Sequence, residues 1–174
     1  MSTPARITRI ALTAAALATA TGLVSAQSAP PSPAVRTERT LSSELAGQIA
    51  VAAVAACQAN GHAVAATVVD RSGGVRAVLG ADAAGPHTLE ASRLKAYTSA
   101  SARNATLAMM DSAQKNPGAA NLVNIPGFLL LGGGVPVKAG NEVIGAVGVG
   151  GAPGGHLDEQ CALAALEKIK TQLQ

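Results

Sequence analysis

VPVKAGNEVIGAVGV, residues 135–149, places two β-rich runs on either side of Gly140-Asn141. A Gly-Asn pair supplies the positive φ of a two-residue hairpin, so Val135–Lys138 and Glu142–Val149 are predicted as antiparallel neighbours. Working outward, Ala63–Asp70 and Val75–Leu79 flank the tight turn Arg71-Ser72-Gly73-Gly74 and form a second hairpin. Phe128–Leu131 is a further strand-like piece. Helical spacing of apolar residues covers Leu41–Asn60, Thr88–Arg103, Ala105–Gln114 and Leu157–Leu173. Thr40 or Ser42 can cap the first helix, and Gly61 stands where a helix-ending glycine is expected. Hairpins demand an antiparallel sheet. The chain is therefore predicted as an α+β domain with helices covering the sheet, not as a doubly wound parallel fold.

Of the 174 residues, 48% are hydrophobic and 13% charged, against roughly 25% charged in an average globular protein. So apolar a chain buries enough surface to offset its ordering entropy, which excludes disorder over most of its length. Tyr97 and Phe128 are the only aromatic residues. That inventory argues against a nucleic-acid surface built on stacked bases.

Residues 1–26 read as a secretory signal peptide: Arg6 and Arg9, an apolar run from Ile10 to Val24, then Val24-Ser25-Ala26 at the cleavage site. The run is shorter than the roughly 20 residues a spanning helix needs. Export with cleavage is expected, to the periplasm or outside the cell, with no membrane attachment afterwards. Beyond residue 26 the chain carries eleven basic and ten acidic side chains, a net charge of +1. No polyanion partner is implied by that balance. Residues 27–39, with Pro30, Pro31 and Pro33, read as a flexible linker, and the folded domain is expected over residues 40–174.

Gly148-Val149-Gly150-Gly151-Ala152-Pro153 puts proline where GxGxxG needs its third glycine, and nothing resembles a phosphate-binding P-loop. The Gly150–Gly155 loop nevertheless precedes a helix, so N–H groups at Gly150 and Gly151 could cradle a carboxylate. Alternatively, these glycines only let the strand turn tightly and the helix pack closely. His87 and His156 sit in glycine-flanked loops at helix N-termini, where a neutral imidazole can reach iron or move protons. An ordinary polar cap residue would look the same. Arg93 and Lys95 could bind a carboxylate ligand, or could belong to a solvated face in which Arg93 pairs with Glu90. No HExxH, CxxC or GxSxG occurs, so no structural zinc site is expected and no catalytic residue is singled out. Cys57 and Cys161 are the only cysteines. An even count in an exported chain suggests a disulfide joining the first and last helices, the alternative being two small buried thiols.

Four stretches, taken in order, resemble a known family: LSSELAGQIAVAAVAACQANG (41–61), VVDRSGGVRAVLGADAAGPHT (68–88), SRLKAYTSAS (92–101) and LLLGGGVPVKAGNEVIGAVGVGGAPGGHLDEQCA (129–162). They are similar to the GlcG/HbpS-like proteins, the DUF336 or haem-degrading domain that recurs at the C-terminus of PduO. The resemblance implies a profilin-like three-layer α/β/α domain with a five-stranded antiparallel sheet, and a homo-oligomer. It also implies haem as a possible cofactor. On that reading His87 and His156 become candidate haem-iron ligands by position, with Arg93, Lys95, Gly150 and Gly151 toward the propionates. An exported haem-binding protein is the expected function. A binding protein or enzyme for a small carboxylate, or a non-catalytic oligomeric module, are the alternatives.

Overall fold

The computed structural model describes residues 34–174, so the leader over residues 1–26 and residues 27–33 of the linker lie outside the described residues. Residues 34–39 are exposed and form neither helix nor strand. One folding unit spans Thr37–Gln174.

The first helix, α1 (Ser43–Ala59), starts where Ser42 in extended conformation accepts the Leu45 N–H at 3.2 Å, and the chain turns out of it at Gly61 with φ of 78°. Strands β1 (Ala65–Asp70) and β2 (Val75–Gly80) form the first hairpin. Its turn is fixed by Asp70 Oδ1, which accepts the N–H groups of Ser72 and Gly74 at 2.9 and 3.0 Å. Helices α2 (His87–Ala102) and α3 (Thr106–Lys115) follow. Strands β3 (Gly134–Ala139) and β4 (Glu142–Gly150) then pair around Gly140, whose φ is 62°. Helix α4 (Gly155–Lys168) and a 3-10 turn over Lys170–Gln172 complete the chain.

All pairings are antiparallel and the strand order is β2-β1-β4-β3. Alternation along the central strands sets the two faces. Ala66 and Val68 of β1 and Val147 and Val149 of β4 join the main core with α1 and α4, including Ile49, Ala53, Cys57, Cys161 and Ala165. On the other face, Val69 and Ala146 meet Ala96 and Ala100 of α2. Thr67 and Ser92 share a buried hydroxyl–hydroxyl hydrogen bond of 2.7 Å there.

α2 rides directly on the sheet because glycine lies beneath it. Gly134 and Gly148 are register partners, and a Cβ at Gly148 would strike the Ser92 carbonyl and the Ala96 N–H of α2. Gly148→Ala is therefore expected to lower stability by about 1–3 kcal/mol in urea unfolding. Gly47→Ala, in α1 with open space at its Cβ, is expected to raise it by about 0.5–1 kcal/mol. Equal effects at the two positions would refute the close-approach argument.

Two expectations change. The sheet has four strands among the described residues, not five, and Phe128–Leu131 is irregular. The Phe128 N–H turns back to the Ile125 carbonyl, and side chains take the place of a ladder beyond it. The Leu129 N–H donates to Thr98 Oγ1 at 2.8 Å, and Thr106 Oγ1 donates to the Leu131 carbonyl at 2.7 Å. Phe128 meets Tyr97 edge-on, with ring centroids 6.4 Å apart. The last helix also stops earlier than Leu173, at Lys168.

Cys57 and Cys161 form a disulfide with Cα atoms 5.3 Å apart, joining α1 to α4. No helix among the described residues is long and apolar enough to cross a membrane.

Candidate functional site

α2 begins at His87, so His87, Ala91 and Lys95 follow one another at i, i+4 and i+8 and share a face. That face borders the loop between β4 and α4. The three residues line a cavity of about 230 Å³ together with Leu131, Asp158 and the Gly150–Gly155 loop.

A buried ion pair lies against this cavity. Lys95 Nζ donates to Asp158 Oδ2 at 2.7 Å and to the Val149 carbonyl at 2.9 Å. The two side chains are only 2% and 3% exposed. Asp158 Oδ1 accepts the Ala152 N–H at 3.0 Å. Charged groups this deep are tolerated only when paired and hydrogen-bonded, as here. α2, the end of β4, the glycine loop and α4 are thereby tied at one point. An ammonium has three N–H donors, so one remains beyond Asp158 and Val149. Gly151 takes φ of 133°, and a Cβ there would lie 2.7 Å from the Ala63 carbonyl. The loop thus needs glycine for its path, whatever else its N–H groups do.

Among the residues singled out in the sequence, His87, Lys95, Gly150 and Gly151 come together on this cavity. Lys95 is already neutralised by Asp158, which makes it an anchor first and a ligand donor second. His156 is exposed on the first turn of α4 and is not part of the cavity lining. Arg93, two residues before Lys95, is rotated by about 200° on the helix. Its guanidinium makes a two-pronged contact with Glu90, at 2.8 and 2.7 Å, on the outer face of α2. That hydrogen bond holds the Glu90 carboxyl below its ordinary range. His62 is half-buried and lines a separate cavity of about 320 Å³ with Asp82. Among the described residues, no cluster of three or more His, Cys, Asp or Glu side chains could hold a metal ion.

Asp158, Ala91 and Leu131 were not anticipated. A signal for Asp158 was present: an acid in the first turn of a helix, facing a lysine embedded in the small residues Ser92, Ala96 and Ser99.

Comparison with known proteins places these features in context. The family model of the haem degrading protein HbpS-like group matches residues 41–167. The crystal structure of HbpS is 36% identical, with a TM-score of 0.74, over 82% of this chain and 99% of that one. Klebsiella pneumoniae protein ORFY, of family DUF336, is 26% identical with a TM-score of 0.76, over 81% of this chain and 98% of its own. The structure of a PduOC–haem complex shares the fold, at 24% identity and a TM-score of 0.65, over 74% of this chain and 94% of that one. No curated protein matches the chain. A family model that spans most of the folding unit, and a 36% identical structure along nearly its whole length, make this chain a member of the haem-degrading HbpS-like family.

Proposed function

We propose that this chain is an exported haem-binding protein, holding haem at the cavity between α2 and the β4–α4 loop with His87 toward the iron. The observation that carries the reading is the exposed imidazole of His87 on the same cavity as Leu131 and the glycine loop, in a chain of this family. A neutral imidazole is a standard axial ligand, and loop N–H groups with the remaining Lys95 donor suit a propionate. The solved PduOC–haem complex supports the choice of ligand.

The cavity, about 230 Å³, is smaller than the roughly 300–1,000 Å³ of pockets that enclose a ligand. A macrocycle would therefore rest across its mouth rather than inside it. Such a seat suits exchangeable haem, as scavenging, buffering or sensing requires, and it leaves one face of the macrocycle for a second copy of the chain. Export rests on the leader-like residues 1–26 and on the Cys57–Cys161 bridge, which suits an oxidising compartment.

Titrating the purified protein with hemin should give a saturable Soret shift. His87→Ala should weaken binding at least tenfold, and His156→Ala should leave it within about twofold. A shift that survives His87→Ala unchanged would remove His87 from the site, and absence of any saturable shift would remove haem.

A further inference from the structure

We infer that the other end of β4 carries a second binding site, for a small organic anion of charge −2 or more. β4 ends at the His87 cavity and begins, roughly 25 Å away, at a cavity of about 630 Å³. Arg39, Arg71, Arg103 and Lys138 line it, with Glu142 as the acid among the lining residues. The cations come from four separate places: the approach to α1, the β1–β2 turn, the end of α2, and β3.

Their partners differ. Arg71 is neutralised by Glu142 and by Glu38 at 3.6 Å. Arg39 donates to the Ala139 carbonyl at 3.4 Å and to a terminal oxygen of Gln174 at 3.3 Å. The side chains of Arg103 and Lys138 have no hydrogen bond or ion pair among the described residues. Two positive side chains, Arg103 and Lys138, thus meet beside Arg39 and Arg71 without an anion of their own, in a chain whose net charge beyond residue 26 is only +1. Such convergence is unfavourable unless a counter-charge arrives.

A second observation points the same way. Arg103 ends α2 in the left-handed region, with φ of 55°, at a position where helices ordinarily use glycine. A long side chain kept in that conformation costs stability, and such costs concentrate at binding sites.

The cavity's size falls in the roughly 300–1,000 Å³ range of ligand pockets. Arg103 and Lys138 also border an adjoining groove of about 450 Å³ that contains Val135, Leu163 and Leu166. Guanidinium groups take carboxylate and phosphate alike, and the groove offers apolar surface to the rest of the molecule. An organic anion therefore fits better than a bare inorganic one.

The test uses tricarballylate and phenyl phosphate as carboxylate and phosphate probes, by calorimetry at constant ionic strength. Saturable binding of either at millimolar concentration or tighter is expected, and which probe binds identifies the acid group. Lys138→Ala should raise Kd at least fivefold. Arg103→Gly should do the same while raising Tm, which separates lost binding from lost folding. His87→Ala should leave Kd unchanged, so the site is tested independently of the haem reading. No saturable binding of either probe, or an unchanged Kd in the combined Arg103→Gly and Lys138→Ala variant, would overturn the proposal.

Discussion

Replacing both cysteines, Cys57→Ala with Cys161→Ala, is expected to lower unfolding stability by about 4–5 kcal/mol. The bridge closes a loop with a sequence separation of 104, which takes in most of the folding unit from α1 to α4. Cross-linking removes open conformations from the unfolded chain, and the effect grows with the logarithm of loop length. Domains of this size are stable by only about 5–15 kcal/mol in total. The loss should therefore appear as a fall in Tm of roughly 10–20 °C. Both sulfurs lie in the main core, with Cys57 fully buried. Mild reductant should leave the folded protein oxidised and act only as it unfolds. A double variant that melts within about 2 °C of the parent would show that packing of α1 on α4 suffices without the covalent link.

That bridge could be anticipated from the sequence, and the reason is instructive. Two cysteines leave one intramolecular pairing, and their positions in the first and last helices make it a long-range constraint. The hairpins were equally legible, because Gly140-Asn141 and Gly73-Gly74 encode the turn locally. Phe128–Leu131 was misread for the opposite reason. Its apolar run looks like a strand, but the Leu129 N–H and the Leu131 carbonyl bond to Thr98 and Thr106, which are distant in sequence. The candidate site was half legible. Helical spacing groups His87 with Lys95 and separates Arg93 from both. The role of Lys95 depends on Asp158, 63 residues away, and no local pattern encodes that meeting. The basic cavity was invisible for the same reason. Its four cations come from four segments, and the net charge of only +1 beyond residue 26 conceals their convergence.

Lys95→Met and Asp158→Ala should each destabilise the fold by about 3–5 kcal/mol. Each substitution leaves the other charge buried and unpaired, which costs far more than the pair itself contributes. Lys95→Met also frees the Val149 carbonyl, and Asp158→Ala frees the Ala152 N–H, so both loosen the glycine loop beside His87. Asp158→Asn is the discriminating change. Its amide oxygen can still accept from Ala152, but its charge no longer balances Lys95, so an intermediate loss is expected. Combining Lys95→Met with Asp158→Ala removes both charges at once. The double variant should then be more stable than either single variant, with a coupling energy of about 2–3 kcal/mol. Exposed Arg93 and Glu90 provide the contrast, since a surface pair at i,i+3 on a helix is worth only about 0.2–0.5 kcal/mol. Additive losses at Lys95 and Asp158 would mean that each acts through its own contacts. In that case the pair would not clamp α2 to α4, and the loop would have to be held by its glycines alone.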